Sequence, residues 1–171
     1  MPGRFHSHDP EELIQAERDV RARVADQPYN HDASAVISNI YRAANVVRYH
    51  MEQKVLSDYD LSWGAFTVLF VLWIWGDQET RRLAEEAGVT KGTLTGVLKT
   101  LEARGYVMRQ THARDRRLVV VRLLPAGVET MKELFPKFNE NEVFTTAGLS
   151  DDERTQLAGL LRTIIHTVEG I

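Results

Sequence analysis

Three guanidinium groups and one carboxylate fall in four consecutive positions, Arg114-Asp115-Arg116-Arg117, directly before the apolar run Leu118–Leu123. Guanidinium is planar, always charged and able to donate hydrogen bonds in pairs, which suits it to phosphate. Asp115 cannot hold a phosphate, but a carboxylate can fix a neighbouring arginine through a charge-assisted hydrogen bond. A second group lies upstream: Thr90, Lys91, Thr93, Thr95 and Lys99. These side chains are short and hydrogen-bonding, or cationic. Such residues on a helix can enter the major groove of a duplex, where bulkier ones would hold the backbone away. Arg109 and Arg114 read equally well as further contacts or as solvated surface charge.

The charge distribution agrees with a polyanion partner. The 171-residue chain has a net charge of −3, yet residues 81–122 carry ten Lys/Arg against four acids, a local +6 that leaves −9 elsewhere. A basic block inside an acidic chain is a localised electrostatic footprint. Other chemistries have less to stand on. With no cysteine, thiol nucleophiles, disulfides and cysteine zinc sites are excluded. No P-loop, HExxH, nucleophile elbow or dinucleotide fingerprint occurs, so no enzyme is expected. Six histidines (6, 8, 31, 50, 112 and 166) are scattered, with only His6 and His8 close in sequence. No cofactor is expected.

The elements that must position these groups follow from periodicity and caps. Apolar residues make up 43% of the chain, enough for a core. Residues 11–25 form a short helix with Leu13, Ala16, Val20 and Val24 on one face. A long helix is expected from a cap at Asp32, with Val36, Ile40, Val47 and Met51 in one stripe and Ala43 and Ala44 permitting close helix approach. Ser62 caps an aromatic core helix that Gly76 ends; at 14 residues, Trp63–Gly76 is too short to span a bilayer. Thr80 and Thr90 cap two shorter helices, the second stopped by Gly105. In that second helix Leu94, Val97, Leu98 and Leu101 form a buried stripe. Strands are expected at Tyr106–Gln110 and Leu118–Leu123, joined through the arginine segment. Pro125 opens a helix to about Phe144, kinked at Pro136. Ser150 and Glu153 form a capping box for a last helix bearing Leu157, Leu160, Leu161, Ile164, Ile165 and Val168. The amino terminus lacks an apolar stretch, so no signal peptide, no membrane association and a cytoplasmic location are expected.

A helix pair followed by a basic hairpin is the order of a winged helix-turn-helix. Residues Leu83–Gly127, "LAEEAGVTKGTLTGVLKTLEARGYVMRQTHARDRRLVVVRLLPAG", resemble the MarR family of multiple-antibiotic-resistance regulators. The shared pattern is the Leu-Ala opening, the Thr-rich recognition helix, the L-E-x-x-G-hydrophobic-V stretch, the D-R-R of the wing, and a strand end close to L-T-x-x-G, here Leu124-Pro125-Ala126-Gly127. The chain departs at Gly96, where members commonly carry a larger, often basic residue.

The resemblance implies a mainly α fold with a small β-hairpin wing. Residues 32–61 and 125–171 would form a helical dimerisation domain, 62–124 the DNA-binding module, and 1–31 an extension packing against the dimer helices. It implies a homodimeric, sequence-specific regulator of double-stranded DNA, by family default a repressor. Arg116 and Arg117 would be wing contacts, with Arg117 in the minor groove. Val143, Phe144, Leu160, Ile164 and Val168 are candidates for burial against a second chain. Members respond to small, often aromatic or phenolic anions bound between the dimer helices and the winged module. Tyr41, Asn45, Arg48, Tyr49, Trp63, Phe66 and Phe70 are the candidate pocket residues here; the alternative is that the aromatics are core and Arg48 is surface. A metal-responsive regulator of the same fold is the alternative function, and a dimer that binds no DNA is a third.

Overall fold

The computed structural model describes residues 10–111 and 118–170, and the chain divides into two compact units, 1–50 and 51–171. The first unit holds helix α1 (Pro10–Arg23) and most of the long helix α2 (His31–Lys54). Ala16 is buried, and the Glu17 carboxylate joins the helices: it accepts from Asn39 Nδ2 at 2.7 Å and lies 3.7 Å from Arg42 Nη1. The cap of α2 is Asn30, whose Oδ1 accepts from Ala33 N at 2.9 Å. Asp32, the expected cap, already lies inside the helix, because the asparagine ahead of it offers the same acceptor.

The second unit is built around helix α3 (Trp63–Trp75). Ser62 caps it by accepting from Ala65 N, and Gly76 ends it at φ +74°, in the left-handed region that glycine enters without a Cβ penalty. Val68 and Leu69 are wholly buried. Helices α4 (Thr80–Glu86), α5 (Lys91–Ala103) and α6 (Pro125–Thr145) and strand β3 (Val119–Leu123) all pack on α3. An aromatic row ties α3 to α6: Phe66 stacks on Phe138 at 4.3 Å between ring centres, and Phe70 on Phe135 at 5.9 Å.

Strand β3 is central in a three-stranded antiparallel sheet, between β1 (Gln78–Glu79) and β2 (Val107–Thr111). Strand β1 was not expected: at two residues it is too short to show a period. It also displaces the expected Thr80 cap. Glu79, held extended opposite Val120, takes the cap position without a side-chain bond, and Thr80 becomes the first helical residue. Strand β2 starts at Val107 rather than Tyr106, because the Tyr106 N–H closes the end of α5 on Leu101 O at 3.0 Å, around Gly105 at φ +70°.

The first turn of α6 sits on that same cap. Leu124 N donates to Tyr106 O at 2.8 Å, and a Cβ on Gly127 would lie 2.5 Å from that carbonyl oxygen and 2.7 Å from Leu123 Cδ1. The glycine ending the wing strand's motif is therefore required by backbone contact. Gly127→Ala is expected to destabilise the fold by about 2 kcal/mol, read as a lowered denaturation midpoint; an unchanged midpoint would show that the turn shifts freely. Helix α6 runs through Pro136 to Thr145. Helix α7 (Asp151–Glu169) begins with the expected Ser150–Glu153 capping box. It buries no side chain: Leu157, Leu160, Ile165 and Val168 are 45–69% exposed, and Val143 and Phe144 at the end of α6 are exposed as well.

Candidate nucleic-acid interface

Helices α4 and α5 form the expected pair. Leu83 and Ala84 are buried at their junction, and Gly88 turns the chain at φ +64° so that Val89 N reaches Ala84 O at 3.0 Å. Helix α5 buries Leu94, Leu98 and Leu101, while Val97 is half-buried. Thr90 caps the helix, its Oγ1 accepting from Thr93 N at 3.1 Å. Thr90, Lys91, Thr93, Thr95, Gly96 and Lys99 are all exposed; Gly96 and Lys99 lie opposite that stripe, Thr93 and Thr95 on its flanks, and Thr90 and Lys91 at the start of the helix. One burial pattern thus fixes which side chains the helix offers outward.

The wing residues Arg114, Asp115, Arg116 and Arg117 lie outside the described residues. The strands on either side of them are described and pair antiparallel up to Thr111 opposite Val119.

The basic block is less uniform than its sequence suggests. Arg81 and Arg82 pair with Glu85 and Glu86 one turn on, at 3.0 and 3.6 Å. Arg122 Nη2 pairs with Asp77 at 2.7 Å. Arg109, open in sequence between contact and surface charge, grips Glu102 through Nε at 3.0 Å and Nη2 at 2.5 Å, while its backbone N–H donates to the same carboxylate at 3.1 Å. The side-chain hydrogen bond to Arg109 holds the Glu102 carboxyl below its usual range. That clamp fastens β2 to α5, so Arg109 has a structural task. Arg104 has another: its guanidinium donates to the carbonyls of Asp60 and Tyr59 at 2.7 and 2.8 Å and lies over the Tyr106 ring. Its place beside the helix-ending Gly105 was the only signal of this in the sequence. Lys91 and Lys99, by contrast, form no ion pair among the described residues.

The candidate pocket residues fall in different parts of the fold. Tyr41, Asn45, Arg48 and Tyr49 lie on α2 in the first unit. Both tyrosines are exposed there, and Arg48 Nη2 donates to Asn45 Oδ1 at 3.1 Å. Trp63, Phe66 and Phe70 lie on α3 in the second unit. Phe66 is a core side chain, buried under Phe138, while Trp63 and Phe70 are half-buried. Among the described residues no group of three or more His, Asp or Glu could hold a metal ion, and no helix is long and apolar enough to cross a membrane. His6, His8 and His112 lie outside those residues.

Residues 61–119 match the MarR family. Over 167 residues the chain is 39% identical to YwaE of Bacillus subtilis (strain 168), described as an uncharacterized HTH-type transcriptional regulator; the match spans 94% of this chain and 98% of that one. Among solved structures it is similar to BpsR of Bordetella bronchiseptica, at 27% identity and a TM-score of 0.65 over 75% of this chain and 97% of that one. The BpsR structure concerns regulation of DNA binding by 6-hydroxynicotinic acid. The fold is also that of AbsC, a MarR family transcriptional regulator from Streptomyces coelicolor, with a TM-score of 0.74 at 18% identity over 85% and 99% of the two chains.

Proposed function

Because this chain belongs to the MarR family, and is a transcriptional regulator rather than an enzyme, we propose that it acts as a homodimeric repressor whose α5 helices enter successive major grooves of a pseudo-palindromic operator. The observation that carries this reading is the outward face of α5: small and polar, backed by a buried leucine stripe, and bearing two lysines with no acidic partner among the described residues. Thr93, Thr95 and Lys99 face the base edges or nearby phosphates, and Thr90 and Lys91 hold phosphates. Arg116 and Arg117 extend the contact beyond the helix, Arg117 into the minor groove, with Asp115 orienting an arginine; Arg114 adds charge.

Dimerisation uses both chain ends, residues 32–61 and 125–171. The apolar side chains of α7, with Val143 and Phe144, are the surface a second copy would cover. A two-fold dimer sets the recognition helices about 34 Å apart, one duplex turn.

A small aromatic acid releases the DNA. Arg48 would take its carboxylate, with Tyr41, Asn45 and Tyr49 of the same helix supplying aromatic and polar contact. Support comes from the regulation of the related BpsR by 6-hydroxynicotinic acid. The ligand acts only so far as it favours one spacing of the recognition helices over another. The test is enrichment of duplexes from a random-sequence pool by the purified protein, followed by titration with aromatic acids. Enriched duplexes should show inverted half-sites one turn apart and be released by at least one acid. Failure to enrich any duplex would overturn the DNA-binding reading; half-sites without inverted symmetry would overturn the dimer.

A further inference from the structure

Helix α6 is tied to the end of α5 at two points. The first is its own start, where Leu124 N donates to Tyr106 O at 2.8 Å and Gly127 lies against the same carbonyl. One such point is a pivot, about which a helix can still tilt. The second point is at Glu133 and Lys137, about 9–15 Å further along the axis from Gly127. Two points fix an angle.

The second tie runs through the single helical turn Leu56–Tyr59, which the wholly buried Leu56 anchors in the core. Asp60 ends that turn at φ +52°, the one non-glycine residue at positive φ among the described residues. Left-handed backbone is disfavoured for a residue with a Cβ, and the Asp60 side chain is 99% exposed, so its burial does not hold the conformation. In this arrangement two consecutive carbonyls meet the guanidinium at the end of α5: Arg104 Nη2 donates to Tyr59 O at 2.8 Å and Nη1 to Asp60 O at 2.7 Å. On the other side, the Tyr59 hydroxyl donates to Glu133 Oε1 at 3.0 Å and accepts from Lys137 Nζ at 2.8 Å. The bond from Tyr59, and then that from Lys137, hold the Glu133 carboxyl below its usual range. One residue thus holds α5 by its carbonyl and α6 by its hydroxyl.

Resting on the reading of α5 as the recognition helix of a dimer, we propose that Tyr59 is a positioning residue for DNA binding: with Arg104 on one side and Glu133 and Lys137 on the other, it fixes the angle between α5 and α6, and so the spacing at which two copies of α5 meet a duplex. The stacking of Phe66 on Phe138 presses α6 onto α3, but apolar contact is non-directional and leaves register to hydrogen bonds. Beyond Lys137, α6 runs on to the exposed Val143 and Phe144, part of the surface a second copy would cover. Gly127 and Phe144 are about 25 Å apart along the axis, so a tilt of about 5° displaces that surface by about 2 Å. That is more than half of the rise of one base pair, about 3.4 Å.

The test uses duplexes enriched by the wild-type protein, remade with one base pair added or removed between the half-sites. A dimer of fixed spacing should lose about ten-fold or more in affinity on each, as linked binding fails. Tyr59→Phe keeps the ring and the carbonyl and loses only the hydroxyl. Bonds at the surface add little stability, so its denaturation midpoint should stay close to that of the wild type. It should lose no more than about three-fold on the altered spacings, with its salt slope unchanged, because no phosphate contact is removed. Arg104→Met cuts the link on its other side and should relax the spacing likewise, and the double variant should go no further than the larger single effect. The proposal is overturned if the wild type tolerates the altered spacings, if Tyr59→Phe discriminates between them as sharply as the wild type does, or if the two effects multiply. A shallower salt slope in Tyr59→Phe would make it a phosphate contact and overturn the positioning role. A wild type that enriches no duplex at all would remove the DNA-binding reading, and the proposal with it.

Discussion

Leu160→Glu is expected to turn the protein into a monomer and to cost at least about 100-fold in duplex affinity. Leu160 is 55% exposed in the single chain, so a glutamate there meets water and the fold of one chain should stand. In a two-fold interface the same position is buried twice. Each lost leucine contact removes about 1.5–3 kcal/mol, and each new carboxylate must be desolvated against apolar neighbours. Helix α7 has no buried side chain with which to offset the loss. Once the chains separate, each half-site is held alone and the gain from linked binding disappears. Sedimentation reads the association state, circular dichroism the fold and titration the affinity. A variant that stays dimeric would place the interface elsewhere.

The second large effect concerns charge. Replacing both Lys91 and Lys99 by alanine removes four cations from a dimer. Each phosphate contact contributes about 0.9 to the slope of log affinity against log salt. The slope should become shallower by roughly 3–4 units, with a loss of about 100-fold at moderate salt. The contrast is the pair Arg122 and Asp77, where Arg122→Gln with Asp77→Asn leaves the net charge unchanged. Because this guanidinium is already engaged at 2.7 Å, the double variant should keep the wild-type slope. If the lysine variant kept its slope and the Arg122 variant lost it, the interface would lie on the sheet rather than on α5.

The parts of this arrangement legible in the sequence are those set by near neighbours. Thr90 caps α5, Ser150 and Glu153 cap α7, and Gly105 stops a helix because each acts within a few residues. The leucine stripe of α5 likewise needs only helical spacing to show which face is free. What sequence could not show depends on distant partners. Glu102 lies one helix end and one turn away from Arg109, so their pairing was invisible as a pattern, and Arg109 remained open between contact and surface charge. Arg122 gained its partner through β1, two residues that carry no period. Phe66 belonged equally to a pocket or a core by composition; Phe138, on another helix, decided it for the core. The charge count for residues 81–122 was correct, but only the tertiary structure tells paired cations from those left to meet an external polyanion.

If the outward face of α5, together with Arg114, Arg116 and Arg117, holds duplex DNA through phosphate contacts, binding must weaken as salt rises. The most direct measurement is the affinity of the full chain for an enriched duplex, titrated across salt from about 50 to 300 mM. Two chains per duplex are expected, with a log affinity that falls linearly and steeply with log salt. Binding that is absent at low salt, or indifferent to salt, would contradict it.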